Sequence, residues 1–427
     1  MNKKILPDRD GVMMKHGRWM ILMALLAWPG LIAAARADQA SLKGTVMCGY
    51  QGWFAAPGDG NDRGWNHYGF NKAGQSQIEL WPDVTGFEAD ELFPAPFRMA
   101  GGEVAKVFSS THPKTVRRHF DWMREYGIDG VFLQRFGASV KNEKARAMVD
   151  RVLAQVRISS QATGRTWALM YDLSGLRAGE IAKVVLPDWQ RLREELKITA
   201  DQSYQFHAGK PVVAVWGIGF KDDRDYSLDE SAAFLRQLKA DGVCVMAGVP
   251  FGWRKQERDA VKDPRLLEVL SAHAAVISPW SVGRYGKEPD AVRQIKAIHP
   301  GDAAWCAERG KSYLPVIFPG FSWSNLMRSR GEQAELNAIP RLKGQFLWTQ
   351  ARERIRSGAD MLYVAMFDEM DEATAIFKCA NEVPAGPVPF LTYEGLPSDH
   401  YLWLTGQIGK ALRGKDQPAD ALPVRKP

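Results

Sequence analysis

The chain has 427 residues, of which 45% are hydrophobic and 25% are charged, and it contains 15 tryptophans. This composition supports a large core and excludes a disordered chain, while four cysteines are too few for a disulfide-stapled fold. Residues 1–37 carry six Lys or Arg and two Asp or Glu, so the formal charge of +7 falls to +3 without them and gives no indication of a nucleic-acid partner.

The first 37 residues are predicted to be a signal peptide. The basic stretch KHGR at 15–18 precedes an apolar run at 19–34, and ARA at 35–37 forms a small-residue cleavage site. We therefore expect a periplasmic or secreted protein whose mature chain begins near Asp38. The apolar run is short for a bilayer span, and an uncleaved anchor is the alternative. We expect no stable membrane insertion after removal of the signal.

Eight apolar runs of strand length follow in chain order. They are VMCGYQGWF (46–54), IDGVFLQRF (128–136), WALMYDL (167–173), PVVAVWGIGF (211–220), VCVMAGVPF (243–251), AVISPW (275–280), LPVIFPGF (314–321) and DMLYVAMF (360–367). Their apolar residues are nearly continuous rather than alternating, which is typical of parallel strands that are buried on both faces. Helical patterns lie between them, at 113–126, 144–158, 228–238, 291–297 and 339–356.

This alternation of strands and helices predicts a (β/α)8 TIM barrel over residues 38–383. The first gap is longer than the others, and we interpret 55–110 as a long loop excursion after strand 1 that lies over the barrel mouth. A doubly wound open sheet is the alternative, but no glycine-rich phosphate loop follows any strand. Residues 384–427 are predicted to be a C-terminal extension that packs on the barrel and contains a final helix.

Chemistry in such a barrel lies at the C-terminal ends of the strands, where this sequence places many aromatic side chains. The residues predicted there to bind substrate are Tyr50, Trp53, Arg135, Tyr171, Asp172, Trp216, Trp253, Trp280, Tyr285 and Phe321. Aromatic rings stack on the C–H faces of sugars, and polar groups among them bind hydroxyls. The pattern indicates a site for an oligosaccharide or polysaccharide. The alternative is that these rings close the top of the core.

The last run ends in an acidic cluster, DEMDE at 368–372. If the chain becomes helical after Phe367, Glu369 and Glu372 point to the same side, because they are three residues apart. Two carboxylates beside one sugar titrate unequally, so that one stays protonated and the other ionised, which is the division that cleavage of a glycosidic bond needs. The alternative is an acidic helix N-terminus with Asp368 as its cap.

Neither a metal site nor a cofactor site is expected. His67, His207 and His400 are isolated, and the sequence has no HxH or HExxH pair for a metal ion. It also lacks the GxSxG motif of serine hydrolases. We therefore expect the chemistry to rest on carboxylates.

Three motifs resemble those of the glycoside hydrolase 71/99-like group, and within it the endo-α-mannosidase family 99. GYQGWF (49–54) with GWNHYG (64–69) is similar to its Tyr-x-x-Trp and Trp-x-His motifs. LPVIFPGF (314–321) is similar to its Pro-Gly-aromatic motif, and DEMDEATAIFK (368–378) to its Asn-Glu-Trp-His-Glu-Gly-Thr signature. The motifs agree with that family in order and in barrel position, over about residues 46–378.

The resemblance implies a retaining α-mannosidase that acts within a chain through the substrate's own 2-hydroxyl and an epoxide-like intermediate. It implies that Glu369 is the base that activates this hydroxyl. Glu372 is then the acid that protonates the leaving oxygen and later activates water. The resemblance also implies that Tyr50, Trp53 and His67 line the sugar site.

The chain departs from that signature beside both glutamates. Asp368 stands in place of Asn, Met370 and Asp371 in place of Trp and His, and Ala373 in place of Gly. We expect Asp371 to raise the pKa of a neighbouring glutamate and to take part in substrate binding. The leading hypothesis is a secreted glycoside hydrolase of an α-linked, α-mannoside-like glycan. A non-catalytic carbohydrate-binding barrel and a structural protein of the cell envelope are the alternatives.

Overall fold

The computed structural model describes residues 41–414 and 417–425, so the predicted signal peptide lies outside the described residues. Twelve strands occur in this part of the chain. They are β1 (Val46–Tyr50), β2 (Leu92–Arg98), β3 (Val104–Phe108), β4 (Gly130–Phe136), β5 (Thr166–Asp172), β6 (Phe206–His207), β7 (Lys210–Trp216), β8 (Cys244–Val249), β9 (Val276–Pro279), β10 (Ser312–Tyr313), β11 (Val316–Ile317) and β12 (Leu362–Val364).

The main sheet closes into a barrel. Its strands are hydrogen-bonded in the order β10-β9-β8-β7-β5-β4-β1-β12-β11, and these pairs are parallel. β10 and β11 are two halves of one strand interrupted at Leu314 and Pro315, with β10 bonded to β9 and β11 bonded to β12. This segment therefore joins the two ends of the sheet. Each of the eight predicted runs forms one position of the ring, so the predicted (β/α)8 barrel is confirmed.

Helices surround the ring. Those in the described residues are α1 (Pro113–Tyr126), α2 (Gly137–Val140), α3 (Glu143–Thr163), α4 (Leu186–Glu194), α5 (Leu228–Ala240), α6 (Arg265–His273), α7 (Glu288–Glu308), α8 (Ser324–Ser329), α9 (Gln345–Arg356) and α10 (His400–Arg413). Within this part of the chain, none of the helices has the length and apolar character that crossing a membrane requires.

Local signals and tertiary pairing together decide where the helices begin. The Ser227 hydroxyl accepts a hydrogen bond from the Glu230 amide while the Glu230 carboxylate accepts one from the Ser227 amide, a capping box that starts α5. The helix predicted from Ile339 is too long by six residues, since α9 begins only at Gln345. Ile339 instead forms a β-bridge with Phe321, in the loop after β11.

Side chains alternate between two buried layers along each barrel strand. In β4, Val131 and Leu133 pack in the layer between the barrel and the helices, whereas Phe132 packs in the barrel interior. In β5, Leu169 lies in the helix-facing layer and Met170 in the interior. A residue at the end of a strand therefore reaches the barrel mouth only when it has the same phase as the interior residues.

The excursion after β1 is an ordered part of the fold. It contains the antiparallel hairpin β2–β3, and isolated β-bridges pair Pro82 with Cys379 and Arg98 with Ala385. These bridges fasten the excursion to the chain that follows β12. Further along, α10 packs against α1 and α9 on the outside of the barrel. The excursion and the acidic loop are thus held side by side.

Candidate active site

The acidic cluster at 368–372 lies in a tight loop that follows β12. This loop is not helical, since residues 370–373 form a turn. The amides of Thr374 and Ala375 both donate to the Glu369 carbonyl, at 3.1 and 2.9 Å. The helix expected here does not form, because these backbone hydrogen bonds fold the chain back on itself.

Asp368 is completely buried and ties the loop to the end of β1. Its Oδ1 accepts a hydrogen bond from the Gln51 amide at 2.7 Å, and its Oδ2 accepts one from the Gly52 amide at 2.8 Å. Burial raises the pKa of Asp368 to about 7, against the effect of these two hydrogen bonds. Asp368 therefore joins the first and last strands of the ring instead of capping a helix.

Glu369 is a buried carboxyl that both a side-chain amide and a hydroxyl contact. Its Oε1 accepts a hydrogen bond from Gln51 Nε2 at 2.9 Å, and its Oε2 accepts one from the Thr374 hydroxyl at 2.7 Å. Burial raises the pKa of Glu369 well above its usual value, and the charges of Glu372 and Asp371 raise it further. Glu369 is thus held in one orientation and is costly to ionise while Glu372 is charged.

Glu372 is partly exposed, in contrast to Glu369. Its carbonyl accepts a hydrogen bond from the Ser322 amide at 3.1 Å, which fixes the backbone. In the part of the chain that the structure describes, its carboxyl makes no hydrogen bond to protein. Burial raises the pKa of Glu372 to about 7, Asp371 adds to this effect and Arg330 opposes it. Glu372 can therefore gain or lose a proton near neutral pH and is open to a ligand.

Asp371 connects this loop to the excursion. Its Oδ2 lies 2.8 Å from Nδ1 of His67, and the His67 ring stacks on Trp53 with 3.7 Å between ring centroids and 5° between planes. The other oxygen of Asp371, Oδ1, is buried without a hydrogen-bond partner among the described residues. The structure thus brings three of the predicted substrate-binding residues together next to Glu372.

Four more predicted residues have side chains at the barrel mouth. Asp172 and Trp216 end β5 and β7 with the interior phase, and burial raises the pKa of Asp172. Trp280 lies edge-on to Trp216, with ring centroids 5.6 Å apart, and also contacts Tyr363 from β12. Phe321 is half-buried against the interior cluster. Aromatic faces and a carboxyl therefore border the acidic loop.

Three predicted residues have the opposite phase and face the helices, so their placement at the mouth is wrong. The Tyr50 hydroxyl lies 2.9 Å from His119 Nδ1 in the helix-facing core. Arg135 is buried in an ion pair with Asp188, and the Tyr171 hydroxyl donates to the same Asp188 at 2.8 Å. These side chains stabilise the packing of helices on the barrel, because each strand turns alternate residues outward.

Two further predictions fail for residues that lie in loops after the strands. Trp253 is fully buried, and its Nε1 donates to Asp302 at 3.0 Å. Tyr285 is also buried, and its hydroxyl donates to Gln350 of α9 at 3.1 Å. Both side chains are committed to the core, so neither lines the mouth.

The predicted site residues do not include the amides and hydroxyls that surround the carboxyls. Gln51 and Thr374 contact Glu369, and Gln134 Nε2 donates to the Tyr363 hydroxyl at 3.1 Å. Gln134 and Tyr363 have the interior phase of their strands. The alternation of side chains along β4 would have selected Gln134 as the residue at the mouth, rather than its neighbour Arg135.

Glu79, from the excursion, was also missed. It is completely buried, and its carboxylate accepts hydrogen bonds from the Ser322 hydroxyl at 2.8 Å and from the Asn325 amide at 2.5 Å. Its own amide donates to the Met370 carbonyl at 2.9 Å. Burial raises the pKa of Glu79 to about 7. Glu79 therefore clamps the loop after β11 to the acidic loop, and it lies too far away in sequence for any local pattern to reveal it.

The arrangement offers a proton donor and a proton acceptor beside apolar ring faces, which suits acid–base chemistry on a sugar. No group of three or more His, Cys, Asp or Glu side chains in the described ranges 41–414 and 417–425 is arranged to hold a metal ion.

Comparison with solved structures defines the class of fold. The GH99 endo-α-mannosidase from Bacteroides thetaiotaomicron, in complex with bis-tris propane, is similar to this chain with a TM-score of 0.60 and 14% identity, over 87% of this chain and 98% of that one. A second structure of the GH99 endo-α-mannosidase from that organism gives 0.59 and 15% over the same shares. No protein-family model and no curated protein matches the sequence. The chain therefore shares the barrel fold of these two glycoside hydrolases, and the predicted resemblance to family 99 is confirmed for the fold.

Proposed function

We propose that the protein is a secreted glycoside hydrolase that cleaves an α-linked glycan or polysaccharide, with α-mannosides as the class that the fold comparison favours. The observation that carries this proposal is the pair Glu369 and Glu372 in one loop at the barrel mouth, with burial and the charge of Asp371 raising the pKa of both carboxyls. A pair of this kind retains a proton at neutral pH, as an acid–base catalyst requires.

The contacts of the two glutamates support separate roles for them. Glu369 accepts two hydrogen bonds, from Gln51 and Thr374, and both favour its ionised form. Glu372 has no such donors, and protonation of Glu372 removes the charge that makes Glu369 costly to ionise, so the active form of the pair carries its proton on Glu372. Glu369 then acts as the base and Glu372 as the acid, in agreement with the roles that the family resemblance implies.

The resemblance also implies a two-step reaction through the substrate's 2-hydroxyl. The proton of the substrate 2-hydroxyl passes to Glu369 as its oxygen bonds to C1, while Glu372 gives its proton to the leaving oxygen and the C1–O bond breaks. Water then attacks C1 and the C1–O2 bond breaks, while Glu372 takes a proton from the water and Glu369 returns its proton to O2. Both carboxyls end in their starting states.

Two features support a sugar chain as substrate and an extracytoplasmic site of action. Trp216 and Trp280 offer ring faces at the mouth, where a pyranose can stack. The predicted signal peptide at 1–37 supports a periplasmic or secreted location.

The test is hydrolysis of a panel of α-mannans, α-glucans and arabino- and xylo-oligosaccharides, with release of reducing ends as the readout. We expect Glu369→Gln and Glu372→Gln each to reduce the rate on the cleaved substrate by roughly 10²- to 10⁴-fold. Glu382→Gln, an exposed carboxylate shortly after the loop, is the control and should retain full activity. Activity unchanged in both glutamate variants would reject the proposal.

A non-catalytic carbohydrate-binding barrel is the second candidate. Met370 favours it, because this side chain is fully buried at the position where the family signature has a tryptophan. Oligosaccharide binding that survives both glutamate substitutions, without turnover by the wild-type chain, would identify this function instead.

A further inference from the structure

A small pocket adjoins the acidic loop, between the excursion and the start of α3. Its volume is about 160 Å³. The polar and aromatic residues that line it include Gln51, Trp53, Arg63, Asn66, His67 and Gln134. A cavity of this size accommodates a ligand of about one sugar unit rather than a chain.

Gln51 lines this pocket and also contacts the proposed catalytic pair. Gln51 Nε2 donates to Glu369, whereas Gln51 Oε1 is buried without a hydrogen-bond partner among the described residues. Trp53 Nε1 is also buried and unpartnered in that part of the chain. Because orphaned buried polar atoms are rare in folded proteins, an acceptor and a donor left free on two residues that line the same pocket point to a polar ligand.

Arg63 supplies the charge of this pocket. Its guanidinium donates to Asn66 Oδ1 at 2.9 Å, and its Nε is buried without a partner in the described residues. The acidic residues nearest in sequence are engaged elsewhere: Asp59 accepts from the Ser109 hydroxyl at 2.8 Å, and Asp62 pairs with Lys144 at 3.4 Å. Within 41–414 and 417–425, no carboxylate lies within ion-pair distance of Arg63.

The other ionisable groups at this wall compensate each other. His67 faces the pocket, but its Nδ1 is paired with Asp371. Arg63 therefore remains as an uncompensated cation with a planar fork of donors, which matches the two oxygens of a carboxylate or of a phosphate or sulfate ester. A neutral sugar would leave this charge unpaired on binding.

We propose that this pocket binds a sugar unit that carries an anionic group, with Arg63 contacting the anion. Gln51 Oε1 and Trp53 Nε1 bind hydroxyls of the same unit. This inference rests on the proposed function, since it places the charged unit next to the glycosidic bond that Glu369 and Glu372 cleave. It narrows the substrate to acidic or acid-substituted α-glycans.

The experiment measures binding by isothermal titration calorimetry to the Glu372→Gln variant, so that turnover does not interfere. Two probe pairs separate the sources of negative charge: α-1,4-linked tetragalacturonate against its methyl ester, and α-mannobiose 6-phosphate against unmodified α-mannobiose. We expect the charged member of at least one pair to bind 10-fold or more tightly than its neutral partner. In the Glu372→Gln background, the further substitution Arg63→Gln should abolish this preference, and Arg63→Lys should retain part of it.

Arg146→Gln is the matched control, because Arg146 is an exposed cation near the start of α3 that does not line the pocket. It should leave the preference intact, and unchanged thermal unfolding of all variants shows that the fold is retained. Equal affinity within both pairs, together with hydrolysis of neutral α-glycans by the wild-type chain, overturns this inference and leaves the proposed function standing. A preference that survives Arg63→Gln also overturns it. Absence of both binding and hydrolysis would reject this inference and the proposed function together.

Discussion

Asp371 and His67 are paired across the candidate site, with Oδ2 of the aspartate 2.8 Å from Nδ1 of the histidine. This contact joins the loop after the last barrel strand to the excursion after the first. It also holds the Asp371 carboxylate in a fixed place next to Glu372 and Glu369, where its charge raises the pKa of both. The residue that departs from the family signature is thus an electrostatic part of the site.

Substitution of this aspartate should change the pH dependence of hydrolysis. Asp371→Asn removes a negative charge beside Glu372, whose pKa is about 7, so that the proton on Glu372 becomes easier to lose. We expect the basic limb of the pH profile of kcat/KM to move to lower pH by up to about one pH unit. Asp360→Asn is the control, since Asp360 precedes β12 at the opposite end of the barrel. A basic limb that stays in place or moves upward contradicts this role.

The buried carboxyls should make stability depend on pH. The pKa of Glu79 is raised from 4.5 to about 7 by burial, so the folded chain binds a proton there that the unfolded chain has lost. Its contribution to stability is fully present below about pH 4.5 and is lost as the pH rises through 7. Relative to the wild type, the unfolding free energy of Glu79→Gln should therefore increase by up to about 3 kcal/mol between pH 5 and pH 8.

Denaturant unfolding at the two pH values measures this difference. Glu382→Gln, at an exposed site, should show the same pH dependence as the wild type. A Glu79→Gln variant whose stability relative to the wild type falls with rising pH would show that Glu79 is ionised in the folded chain across this range.

The hydroxyl of Thr374 should affect catalysis, because it donates a hydrogen bond to Glu369, the proposed base. Thr374→Val keeps the shape of the side chain but removes the donor that lies 2.7 Å from Glu369 Oε2, which raises the pKa of Glu369 further. We expect kcat to fall about 10-fold, which corresponds to ~1.4 kcal/mol, and the acidic limb of the pH–rate profile to move upward. Thr405→Val, whose hydroxyl donates to the Tyr401 carbonyl within α10, should leave the profile unchanged.

Two tryptophans that the sequence could not distinguish should behave differently. Trp280→Ala removes a ring face at the mouth and is expected to raise KM about 10-fold, with little change in stability. Trp253→Phe breaks the buried hydrogen bond to Asp302 and should lower the melting temperature without changing KM. A rise in KM for Trp253→Phe, with Trp280→Ala unaffected, would place the sugar elsewhere.

The eight strands could be predicted because barrel strands are buried on both faces and appear as continuous apolar runs. The same property hides which side each residue faces. The sequence analysis places Tyr50, Arg135 and Tyr171 at the mouth, yet their side chains face the helices. Each is next in its strand to a residue that faces the barrel interior, such as Gln134 or Asp172. An apolar run has no internal marker of phase, so the error at strand ends follows from its composition.

The form of the acidic loop could not be predicted for a different reason. Its carboxyls are held by partners that are distant in sequence: Asp368 by the amides of Gln51 and Gly52, Asp371 by His67. Local patterns favoured a helix, whereas these tertiary hydrogen bonds favour a closed turn. The sequence predicts both glutamates as site residues because carboxylates in this number at a strand end are unusual, but it does not predict their surroundings.

The most direct test of the central claim is a crystal structure of the Glu372→Gln variant with an α-linked oligosaccharide that the wild-type chain cleaves. We predict that the scissile glycosidic oxygen lies within hydrogen-bond reach, about 3 Å, of the side chain at position 372, with a sugar ring against Trp280. An oligosaccharide bound in the mouth with every glycosidic oxygen beyond that reach of both 369 and 372 would contradict the assignment of these two residues.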